Sequence, residues 1–195
     1  MQLIDLSHTI HNEIQIYPGD PVPSISRGLT HENDYCHVDV LTLGSHTGTH
    51  IDAPFHFLKK GKTIDEFPVQ RFVGAGVLVD ASAVPDRDLI RPEDIEPYEK
   101  EIEEGDFVIF RTGRDKYFGS PRYYLHPYLS PEGARLLVRK GVSLVAIDAL
   151  NIDPTYQDLT DPDARAKPLP PEDEYGYPVH DLLLGNDITL AEYTL

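Results

Sequence analysis

Apolar residues along this chain come in short bursts, and the spacing within each burst separates strands from helices. Residues 1–10, MQLIDLSHTI, alternate around Leu3 and Asp5 and predict a first strand running toward the turn Tyr17-Pro-Gly-Asp-Pro21. The β-branched alternation of HVDVLTL, residues 37–43, predicts a second strand. Three further stretches are continuous and rich in Val or Ile, as strands buried on both faces are: RFVGAGVLVDA at 71–81, DFVIFR at 106–111 and VSLVAID at 142–148. Helices are expected at 91–104, entered through Pro92 and strongly acidic, and at 130–140. In the second of these Ser130 caps the start, Pro131 occupies the first turn and Gly141 ends it. Residues 154–178 carry six prolines and almost no apolar periodicity, which predicts an irregular loop or lid. The pattern as a whole is α/β or α+β with strands dominant, and neither a repeat nor a linker divides it, so residues 1–195 are expected to fold as a single domain.

Composition narrows the function classes. The chain has 195 residues, 40% of them hydrophobic and 26% charged, which is globular composition. A formal charge of −16 argues against nucleic acid and anionic membranes, both of which need clustered Lys and Arg. The only cysteine, Cys36, cannot form an internal disulfide, and MQLIDLSHTI has neither a basic n-region nor an unbroken apolar stretch. No apolar run reaches the roughly 18 residues of a membrane span. A soluble, cytoplasmic protein is expected.

Candidate chemistry concentrates in Ser45–Phe57, SHTGTHIDAPFHF, where His46, His50, Asp52 and His56 supply imidazoles and a carboxylate, the usual ligands of Zn²⁺ and similar ions. Gly48, Pro54 and the threonines disfavour a helix. In an extended strand His46 and His56 would lie about 33 Å apart, so a shared site requires the chain to bend, and Gly48 and Pro54 stand where bends cost least. The cluster therefore reads as metal-binding or catalytic. Taken alone, Glu192 reads as a surface residue on a fraying end, and His8, His11, His31, His37 and His126 as surface histidines. Asp148 and Asp153, bracketing a buried strand end in AIDALNID, read equally as turn, hydrogen-bonding or catalytic groups. Neither a Gly-rich phosphate loop nor a GxSxG nucleophile elbow occurs.

The stretch from His46 to His56, HTGTHIDAPFH, resembles the HxGTHxDxPxH signature of the metal-dependent cyclase/hydrolase family, which includes bacterial kynurenine formamidases and isatin hydrolase. IDLSHTI, YPGDP, VLVD, LSPEGARLLV and AIDALNID look like further landmarks of that family, so the likeness spans nearly the whole chain. The resemblance implies a β-barrel-like core flanked by helices, of the swivelling β/β/α type. It further implies one or two divalent ions, Zn or Mn, held by His46, His50, Asp52, His180 and Glu192, with Asp52 able to bridge. By the same likeness His56 is the catalytic acid/base, turned away from the metal by Pro54, and Tyr17 lines the substrate pocket. The implied activity is amide hydrolysis, with N-formylkynurenine as substrate and ring opening of a cyclic amide or lactone as the alternative. A metal-binding but non-catalytic homologue is the reading from another class. Homodimers or homotetramers are the implied assemblies. Relatives generally continue beyond the position of Glu192 with another strand-containing segment, whereas this sequence ends three residues later.

Overall fold

A computed structural model describes residues 2–155 and 176–195. Nine strands and four α-helices alternate along it, beginning with an antiparallel ribbon of β1 (Ser24–Leu29) and β2 (Val38–Thr42) joined through the one-turn helix α1 (His31–Asp34). Next come β3 (His50–Asp52), β4 (Gly76–Asp80), β5 (Leu89–Ile90), α2 (Pro92–Ile95), β6 (Phe107–Arg111) and β7 (Tyr128–Leu129). The chain then forms α3 (Pro131–Lys140), β8 (Leu144–Ile147), α4 (Pro178–Leu184) and β9 (Thr189–Glu192).

Five of these strands make the central sheet in the order β3-β9-β8-β6-β4. The run from β4 to β9 is parallel, and β3 closes one edge antiparallel to β9. Parallel neighbours need crossover connections, which α3 supplies between β6 and β8 and α4 between β8 and β9. The two helices pack on each other and on the sheet. Val79, Phe110, Val145, Ile147 and Leu190 from the strands meet Ala134, Leu137, Val179, Leu183 and Leu184 from the helices in the main core. All four residues of β8 are buried, as a continuous apolar run in a parallel sheet requires. A smaller aromatic core, Tyr123, Leu150 and Tyr193 with Tyr17 and Phe118 at its margin, lies where the C-terminal ends of β8 and β9 lead out of the sheet.

The mixed α/β class is as expected, and the β-rich core takes the form of this sheet plus the β1/β2 ribbon and a two-residue β5/β7 pair. Helix α3 forms as its signals require: the Ser130 hydroxyl accepts from Gly133 N at 3.0 Å, and Gly141 ends the helix at φ +70°. Three expectations are corrected. Of the strand expected over 1–10, the described residues 2–10 form only a single bridge between Ser7 and Thr194, because alternation without a neighbouring strand gives the backbone nothing to pair with. The helix expected over 91–104 is α2 followed by a 3₁₀ turn at Glu96–Tyr98, because Pro97 lacks an N–H and its ring opposes the carbonyl four residues back. The strand expected over 71–81 is only β4, preceded by a 3₁₀ turn at Val69–Phe72. Most of the Pro-rich stretch expected to be a loop or lid, residues 156–175, lies outside the described residues.

Candidate functional site

The bend that the sequence demands is built at Gly44–Thr49. Thr47 N donates to Gly44 O at 3.2 Å, and Gly48 adopts φ +69°, where a Cβ would sit 3.0 Å from Ile14 Cδ1. The Thr49 hydroxyl fastens the bend to the end of β9 by donating to Tyr193 O at 2.6 Å. Strand β3 follows, and its register sets His50 opposite Glu192 and Asp52 opposite Leu190. Pro54 then opens a single 3₁₀ turn, Pro54–His56, which carries His56 back so that its ring stacks on His46 with centroids 3.9 Å apart. His56 is therefore not turned away from the cluster but forms part of its wall.

The histidines and acids converge on Asp52, which is 1% exposed. Its Oδ1 lies 2.6 Å from His46 Nδ1 and 3.2 Å from His50 Nε2, and its Oδ2 lies 3.4 Å from His180 Nε2. His180 Nε2 is also 3.5 Å from Glu192 Oε1. Ligand-capable atoms of His46, Asp52 and His56 fall within 4.8 Å of one another, as do those of His50, Asp52 and Glu192, so Asp52 is common to two groups. Despite these approaches, both Asp52 oxygens and His46 Nδ1 are buried without an aligned hydrogen bond. Carboxylate oxygens and imidazole nitrogens that converge within 4.8 Å, several of them buried without an aligned hydrogen bond, are the donor chemistry of a divalent-ion site, and this set fits one.

The far nitrogens of two imidazoles are already committed. His50 Nδ1 donates to Gly48 O at 2.8 Å and His180 Nδ1 to Asp153 Oδ2 at 2.8 Å, which leaves each Nε2 facing the centre. Burial alone would raise the Asp52 carboxyl, but the imidazoles of His180, His46 and His50 outweigh it and hold the group well below the usual range. Burial would depress His180, yet Asp153, Asp52 and Glu192 outweigh it and push the imidazole up to about 10. Burial raises Glu192 to about 7 against the pull of His180. For His56, burial and the neighbouring imidazoles prevail over Asp52 and push the ring down to about 4, so it is neutral at neutral pH.

All seven residues singled out from the sequence meet in one place: Tyr17, His46, His50, His56, His180 and Glu192 line a cavity of about 180 Å³, with Asp52 beneath it. Glu192 is no frayed surface residue; it is 5% exposed, and its Oε1 accepts from Ile152 N at 2.8 Å. His126 is likewise buried, with Nδ1 donating to Pro127 O. The Tyr17 and Tyr177 hydroxyls lie 3.2 Å apart on the cavity wall. Sequence reasoning missed Asp20, Phe57, Asn151 and Tyr193 as lining residues and left Asp153 undecided. Asp20, Phe57 and Asn151 lie within stretches already singled out, YPGDP, SHTGTHIDAPFHF and AIDALNID, whereas nothing local distinguishes Tyr193.

Residues 4–154 match a family described as "Putative cyclase". The kynurenine formamidase of Bacillus cytotoxicus is 32% identical over 154 residues, covering 77% of this chain and 70% of that protein. The structure of a potential metal-dependent hydrolase with cyclase activity superposes with a TM-score of 0.73 at 27% identity, over 98% of this chain and 80% of the other. Isatin hydrolase A from Ralstonia solanacearum gives a TM-score of 0.80 at 22% identity, over 98% and 78%, a likeness of fold.

Proposed function

The chain belongs to the cyclase family, and from that premise we propose that it is a metal-dependent hydrolase of amide C–N bonds, an arylformamidase acting on N-formylkynurenine. The observation that carries this reading is Asp52, a buried carboxylate with no aligned hydrogen bond inside a ring of imidazoles, beside a histidine that stays neutral. His46, His50, Asp52, His180 and Glu192 would hold one or two divalent ions, Zn or Mn, with Asp52 shared. Such an ion, when bound, polarises a carbonyl and lowers the pKa of water toward about 7.

His56 is the proton carrier in this reading: neutral, at the cavity wall, and stacked on His46, it takes the proton of the attacking water and returns it to the departing aryl nitrogen. Tyr17 and Phe57 offer aromatic surface to the substrate's ring. The test is a comparison of N-formylkynurenine hydrolysis with ring opening of a cyclic amide, each with added Zn²⁺ or Mn²⁺. Faster formamide cleavage is expected, and inactivity on both substrates would sink the reading. His56→Ala should retain metal while turnover falls about 10²–10⁴-fold; a non-catalytic homologue would turn over neither substrate.

We also read the chain as a homo-oligomer, a homodimer or homotetramer. Val38, Val40 and Leu41 on the β1/β2 ribbon are 47%, 54% and 58% exposed, and a two-stranded ribbon in water is marginal without a covering surface. Among the described residues no helix is long and apolar enough to cross a membrane. The exposed thiol of Cys36 suits a reducing cytoplasm.

A further inference from the structure

Helix α4 starts without a cap of its own. Tyr177 stands at its N-cap position and provides no side-chain acceptor, and Pro178 follows. The next backbone donors are met from a different element. Asp153, in the turn after β8 and fully buried, accepts from Val179 N through Oδ1 at 3.1 Å and from His180 N through Oδ2 at 2.9 Å. Its Oδ2 also takes His180 Nδ1 at 2.8 Å. One carboxylate thus fixes both the backbone that carries His180 and the rotation of its ring. The same turn holds the other late acid, because Ile152 N donates to Glu192 Oε1 at 2.8 Å, and Asn151 Oδ1 accepts from Asp153 N at 2.8 Å to keep the turn closed.

We infer that Asp153 is a positioning residue that locks His180 as the Nδ1–H tautomer, so that Nε2 is presented to Asp52 and Glu192 and the site's affinity for a divalent ion is set from the Asn151–Asp153 turn. The inference rests on the reading of His180 as a ligand. A carboxylate behind an imidazole both aims the ring and raises its basicity, and loss of such a partner typically costs 10–100-fold in metal affinity.

The test is a double-substitution cycle on the full-length chain, with Zn²⁺ affinity measured by chelator competition. Asp153→Ala should weaken Zn²⁺ binding about 10–100-fold. Asp153→Asn should lose less, because its single carbonyl oxygen can serve either Val179 or His180 but not both. In a His180→Ala background neither change should weaken binding further. Equal losses in both backgrounds, or wild-type affinity in Asp153→Ala, would overturn the positioning role. Unchanged affinity in His180→Ala alone would instead overturn the ligand reading on which it rests. If the Ala variant does not fold, nitrogen NMR of the zinc-loaded wild-type protein decides: a proton on Nδ1 and metal at Nε2 of His180 are expected, and the reverse arrangement refutes the inference.

Discussion

Replacing Gly48 by Ala tests whether one backbone bend creates the site. Gly48 sits at φ +69°, in the left-handed region that costs a residue with a Cβ about 1–2 kcal/mol. The added methyl would also lie 3.0 Å from Ile14 Cδ1, and Ile14 is itself buried, so it must shift or the bend must open. The two effects together predict a loss of about 2 kcal/mol in urea denaturation of the metal-free protein, or a melting temperature lower by about 4–8 °C for a chain of this size. Opening the bend also moves the Gly48 carbonyl that holds His50 Nδ1 and separates His46 from Asp52, so Zn²⁺ affinity in chelator competition should fall as well. Gly105→Ala is the control, because Gly105 has φ +88° with no atom within 4 Å of a Cβ and lies outside the site. It should lose stability and keep its metal affinity. If both variants kept wild-type affinity, the bend would not be what assembles the site.

Other outcomes follow from the core, a buried histidine and the exposed ribbon. Leu137, wholly buried between α3 and the sheet, should cost about 2–5 kcal/mol when changed to Ala, read from denaturation midpoints. Burial pushes His126 down to about 4, whereas an unfolded histidine titrates near 6.5, so its contribution to stability is complete above about pH 6.5 and is lost as pH falls toward 4. The difference amounts to about 3 kcal/mol, and His126→Gln should flatten the fall in metal-free stability between pH 7 and 4.5. Val40→Lys should reduce the mass measured by light scattering if the ribbon is a contact between copies, and an unchanged assembly would refute that use of it.

What could be read from the sequence divides along the range of the interactions. Helix α3 was legible because cap, first-turn proline and terminal glycine all lie within the helix or beside it. Strands β6 and β8 were legible because burial on both faces leaves an unbroken apolar run. Pro97 was equally local, and the acidic, helix-favouring composition around it masked its effect. The first half of the site was compressed into one stretch, with Gly48 marking the bend. The second half was not. His50 faces Glu192 only because β3 pairs with β9 in one register, and nothing near Glu192 signals that pairing. Pro54 marks a bend as its lack of a backbone donor suggests, yet the turn brings His56 against His46, because a 3₁₀ turn reverses the chain where an extended segment would carry it away. Asp153 is harder still, since its role appears only when α4 is found to lack a cap of its own.

The charges gathered at the site make metal uptake a proton-releasing event. Asp52 and Glu192 are buried beside His46, His50 and His180, and without a cation the protein compensates by binding protons. His180, whose burial would favour the neutral ring, is carried by Asp153, Asp52 and Glu192 up to about 10 and is therefore protonated at pH 7. Glu192 is raised by burial against the pull of His180, which favours its protonated form. His50 is raised too, since Asp52 and Glu192 outweigh its burial. Metal ligands act in their deprotonated forms, so loading the site at pH 7 should expel at least the proton of His180, and the apparent affinity should rise with pH by as many decades per unit as protons are released. Calorimetric titration of Zn²⁺ in two buffers of different ionisation enthalpy measures that number directly. Glu192→Gln should lower it, because the amide has no proton to lose, while binding itself weakens. Uptake without net proton release at pH 7 would mean that the carboxylates around Asp52 are balanced by something other than His180, and the ligand set would have to be redrawn.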